Sequence, residues 1–92
     1  MNTRPEIGKI DLTTFILSVS SAAFMGLGVT EPQSGHTPEV NLELARQNIN
    51  LLELLWEKTK GNRTSEEDRL LEQLLFETRM RFIETQKKVG QN

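Results

Sequence analysis

No cysteine occurs in the chain, which removes disulfides and thiolate metal sites from the means of stabilising it. Only one histidine is present, so a histidine-based metal cluster or a Ser-His-acid relay lacks its usual parts. Tyrosine is missing, and one Trp with four Phe leaves few flat platforms for bases or sugars. Basic excess is missing too. Eleven Lys and Arg stand against thirteen Asp and Glu, a net charge of −2, so the chain has no global attraction for a phosphate backbone. These absences lead us to expect no catalytic residue, no cofactor, no metal site and no nucleic-acid partner.

What is present is helical pattern. Ninety-two residues suit one domain, and a chain of this size buries only about two-thirds of its unfolded surface, so the core is thin. Residues 1–11 read as a flexible leader. Asp11 then offers an N-cap oxygen to a helix over residues 12–27, closed by Gly28 in the left-handed C′ conformation. Residues 28–41, with Pro32, Gly35 and Pro38, form a connector. The next helix has two candidate starts. Thr37 before Pro38 fits an N-cap followed by N1, and Asn41 before Leu42 fits an N-cap at the edge of the periodic pattern. We favour Asn41 and a helix over 42–60, with Lys58 and Lys60 at the end that favours cations and Gly61 as its stop. Thr64 and Glu67 then spell a capping box for a third helix over 65–87, with 88–92 as a tail. The short turn between the second and third helices predicts an antiparallel helical hairpin.

The apolar faces are wider than one chain of this topology can cover. In the second helix Leu42, Ala45, Ile49, Leu52 and Trp56 alternate at spacings of three and four, and Leu44, Leu51 and Leu55 broaden the stripe. Leu54 stands on the polar side, either as a surface leucine or as part of a second contact. The third helix carries Leu70, Leu71, Leu74, Leu75, Phe76, Met80, Phe82 and Ile83 over about three-quarters of its circumference. The expected fold is therefore all-α: an N-terminal apolar helix and a long hairpin, packed as a homo-oligomeric bundle, with a two-fold homodimer as the default. A further protein partner stays open as an alternative.

Leu12 to Thr30 contains no charge, yet it does not read as a membrane span. A helix of about sixteen residues is roughly 24 Å long, short of a hydrocarbon core of about 30 Å. Six of the nineteen residues are Ser or Thr. The flanks lack positive bias, which argues against both a span and an export signal, and a cytoplasmic location is expected. Thr14, Ser18, Ala22 and Gly26 recur every fourth residue as a smooth ridge beside Phe15. Close backbone approach fits such a ridge, either to a second copy or to the chain's own hairpin.

Among the polar residues, His36 reads as a solvated loop histidine. Glu66, Glu67 and Asp68 are explained by the positive end of the third helix. "KTKGN" has the letters of a phosphate loop with the glycine at the wrong end. Arg81 falls at the edge of a polar strip. Arg79 emerges among Leu75, Phe76, Phe82 and Ile83, where a guanidinium needs a partner or a route to water. Glu53 or Glu57, or an acid from another chain, would make it a buried ion pair; the alternative is a site for a small anionic ligand between helices. Asn48, on the apolar side of the second helix, poses the same alternative.

"DLTTFILSVSSAAFMGLG", "NLELARQNINLLELLWEKTKGNRTSEE" and "LLEQLLFETRMRF" together resemble the small bacterial family catalogued as domain of unknown function 1844, over about residues 10–83. The marks are Phe15 with Ser18, the "NLELA" helix start, "KTKGN" with the capping box, and "RMRF". Arg63 stands where that family usually has leucine, and Asn50 where it often has aspartate. The resemblance implies a bacterial, cytoplasmic, helical protein and no activity. The functional expectation is a non-enzymatic, self-associating interaction or scaffold module, ahead of an anionic-ligand binder and of a membrane-associated adaptor.

Overall fold

The computed structural model describes residues 11–29 and 39–90, and these hold three α-helices and no strand. α1 is Leu12–Gly26, α2 is Leu42–Lys58 and α3 is Ser65–Val89. The leader before Asp11, the proline-rich part of the connector and His36 lie outside the described residues.

Each start is made by the residue chemistry that favours it. The Asp11 side chain accepts from the Thr14 amide at 2.8 Å, and the Asn41 side chain accepts from the Leu44 amide at 3.0 Å. Asn41, not Thr37, is thus the N-cap of α2. At α3 the capping box is complete: the Glu67 amide donates to the Thr64 hydroxyl, and the Thr64 amide donates to the Glu67 carboxylate. The end of α1 is a Schellman turn. The Val29 amide reaches the Phe24 carbonyl and the Gly28 amide the Met25 carbonyl, with Gly28 at φ 84°, a conformation glycine adopts without a Cβ clash.

Three ends differ from the sequence reading: α1 only by Leu27, which is its C-cap and not its last residue, and α2 and α3 by more. α2 stops at Lys58, ahead of Gly61, with Thr59 as its C-cap, where the Thr59 hydroxyl joins the Thr59 amide in donating to the Leu55 carbonyl. Gly61 takes its positive φ of 84° within the turn that follows. α3 continues through Lys88 and Val89, which the sequence had left in the tail. Lys87 and Lys88 complement the negative end of α3, and nothing after Phe82 breaks the helix before Gly90.

The core is small. Ile16 and Val19 of α1, Leu52 of α2, and Leu71 and Leu75 of α3 bury one another, with Leu12, Leu55, Trp56, Leu70 and Leu74 packed around them. A closer joint lies where α1 meets the start of α2. A Cβ added at Gly26 would stand 2.7 Å from the Ala45 nitrogen and 2.9 Å from the Asn41 carbonyl oxygen. The Gly26 carbonyl accepts from the Asn41 amide at 2.7 Å. Backbone meets backbone there, with no room for a side chain.

Candidate interaction surface

The polar groups inside the core are spent on the helices that carry them. Each helix holds one such residue, bonded to the carbonyl one turn back: Ser20 to Ile16, Asn48 to Leu44, and Thr78 to Leu74. No buried side-chain nitrogen or oxygen among the described residues lacks a partner. Asn48 is thus buried, as its position on the wheel required, and is satisfied locally. Nothing in this interior is left aiming at a ligand.

Arg79 is different from its expected setting. It donates through Nε and Nη2 to Glu53 Oε2, at 3.2 and 2.9 Å, so Glu53 is the one among its anticipated partners that it meets. The pair is not buried, however, because the Arg79 side chain is 51% exposed. The reason is that the middle of the apolar arc of α3 is itself open to solvent in the single chain: Phe76 is 64% exposed, Met80 45% and Ile83 48%.

Arg63, in the turn between α2 and α3, is the arginine whose side chain is buried. Its side chain is 8% exposed. Nη1 donates to the Trp56 carbonyl at 2.7 Å and to the Thr59 hydroxyl at 3.1 Å, and Nε donates to Asp68 Oδ1 at 2.9 Å. The guanidinium also lies over the Trp56 ring, 4.1 Å from its centroid. One side chain therefore caps an orphan carbonyl of α2 and grips the first turns of α3.

The small-residue ridge of α1 is divided. Gly26 is buried on α2 and Ala22 is half-buried, whereas Thr14, Ser18 and Phe15 are exposed. Gly26 is therefore unavailable to a second copy, because the Ala45 and Asn41 backbone occupies its space. The Leu54 side chain is exposed, as are Leu51 on α2 and Leu17 and Met25 on α1.

On α3, Phe76 and Met80 form a raised rib between two shallow grooves. One, of about 480 Å³, is walled by Trp56, Leu75, Glu72 and Arg79. The other, of about 440 Å³, is walled by Phe24, Glu77, Arg81 and Glu84. A third hollow of about 250 Å³ runs past Arg79 to Ile49, Phe82 and Ile83, and Arg46 sits over the Phe82 ring at 5.3 Å. Isolated exposed apolar side chains are ordinary on a soluble protein; three in register on one helix are not.

No described helix is long and apolar enough to cross a membrane. No curated protein and no solved structure matches the chain. The family model described as "Domain of unknown function (DUF1844)" matches residues 9–84, and the chain belongs to that family.

Proposed function

We propose that this protein is a self-associating helical module that works through protein contacts and carries no catalytic centre of its own. The observation behind the reading is the apolar surface left open on α1, α2 and α3 after the single-chain core has formed. Burying such side chains is worth about 25 cal/mol per Å², and a second copy presenting the same surface is the simplest cover. In this reading α2 and α3 act as an antiparallel hairpin, held at the turn by Arg63 and along its length by Glu53–Arg79, and the bundle is completed between chains. A cytoplasmic, bacterial setting goes with the family and with this mode of work.

The anionic-ligand alternative is weakened by Glu53, which already accepts from Arg79 at the place where an anion would sit. The membrane-adaptor alternative has only the uncharged α1 in its favour. Native mass spectrometry and sedimentation velocity of the full chain decide the leading reading. We expect a discrete dimer or higher symmetric particle at micromolar concentration. A monomer across that range would end the proposal.

A further inference from the structure

We propose that the self-association is made by α3, through an antiparallel pairing of two copies about a two-fold axis that passes near Met80. The inference rests on the self-associating reading above and adds to it the face, the direction and the register. Gln73, Phe76, Met80, Ile83 and Lys87 follow one another at alternating spacings of three and four, the repeat of a helix-pairing seam. All five are exposed, on the side of α3 away from buried Leu71, Leu75 and Thr78. The seam carries no charge from Gln73 to Ile83. Its rib of Phe76 and Met80 stands between two grooves, so the rib of one copy fits beside the rib of the other, as ridges fit grooves in packed helices.

Charge argues for a second copy and chooses the direction. The first half of α3 carries Glu66, Glu67, Asp68, Glu72 and Glu77 against Arg69 alone. The second half carries Arg79, Arg81, Lys87 and Lys88 against Glu84 alone. A parallel pair would set acid on acid and base on base. An antiparallel pair sets each acidic half on the basic half of the other copy. With the axis near Met80, Phe76 of one copy lies opposite Ile83 of the other, and Met80 lies next to its own symmetry mate. Glu72 faces Lys87 at both ends of the contact.

The chain has no cysteine, so single introduced thiols report the arrangement directly. Only positions close to a two-fold axis can bridge to themselves at the Cα separation of about 4.4–6.8 Å that a disulfide needs. Met80→Cys should oxidise to a covalent dimer. Gln73→Cys alone should not, whereas Gln73→Cys mixed with Lys87→Cys should. Phe76→Glu with Met80→Glu alters residues exposed in the single chain, so helical content by circular dichroism should persist while the dimer Kd rises at least about thirtyfold. Glu72→Lys and Lys87→Glu should each weaken the dimer several-fold, and the double variant should recover it. A wild-type monomer would end both this inference and the self-association it rests on. An oligomer unchanged by Phe76→Glu with Met80→Glu would leave self-association standing and overturn this face. Self-bridging by Gln73→Cys would overturn the antiparallel direction.

Discussion

Two of the interhelical arginines of this small protein, Arg63 and Arg79, sit in contrasting surroundings, one side chain 8% exposed and the other 51%. Arg63, at the turn, is enclosed by an indole face, a backbone carbonyl, a hydroxyl and a carboxylate. Arg79, midway along α3, makes a geometrically sound pair with Glu53 in the open. Both bridge α2 and α3, and distance alone would rank them together. Burial separates them. The Arg63 guanidinium itself is shielded from water although the Asp68 side chain is 46% exposed, and the loss of its carbonyl or hydroxyl contact leaves a polar group short of a partner. Around Arg79 water and salt compete for the same charges, and a pair of this kind contributes about 0–1 kcal/mol.

The comparison can be broken or sharpened by substitution. Arg63→Ala should have the largest effect, about 2–3 kcal/mol, because it removes the carbonyl cap, the ring contact and the ion pair together; a lower urea midpoint at unchanged slope is the expected readout. Arg63→Leu should cost less, about 1 kcal/mol, since a well-packed apolar replacement at a covered site restores much of what a lost ion pair removes. If the two variants unfolded at the same midpoint, packing over Trp56 would count for little. Asp68→Asn keeps an oxygen acceptor for the guanidinium and removes only the charge, so a loss of about 0.5–1 kcal/mol is expected. Smallest of all, Glu53→Gln and Arg79→Gln should each change stability by at most about 0.5 kcal/mol. Their coupling in a double-mutant cycle at low protein concentration should fade between low salt and about 1 M salt. A salt-resistant coupling above that of Arg63 with Asp68 would invert the ranking.

Local chemistry was legible in the sequence, and chemistry shared between elements was not. Asp11, Asn41, Thr64 with Glu67, and Gly28 act within four or five residues of themselves, so their spelling suffices. The wheel correctly put Asn48 inside and named Glu53 among the partners of Arg79. It placed that pair in the interior because it could show where apolar residues cluster, not which part of the cluster a neighbouring helix covers. Gly26 was grouped with Thr14, Ser18 and Ala22 by spacing alone, while the approach of the Ala45 backbone that claims it belongs to tertiary packing. Arg63 was missed because its partners lie seven residues before and five after, in two different helices. One signal was available: the leucine that the family resemblance implies at this position points to a place that neighbours cover.

The bond from the Asn41 amide to the Gly26 carbonyl has a consequence for how the chain tolerates change. It closes the intervening stretch at its base, so the two helix ends are held whatever length of chain joins them. The entropy of closing a flexible loop rises only with the logarithm of its length, about 0.6 kcal/mol for each doubling. Spacer residues added within 30–38 should therefore leave the unfolding midpoint nearly unchanged, whereas Gly26→Ala, with no residue added, should shift it several times further. Here a single missing methyl constrains the protein more than the number of residues that separate two helices.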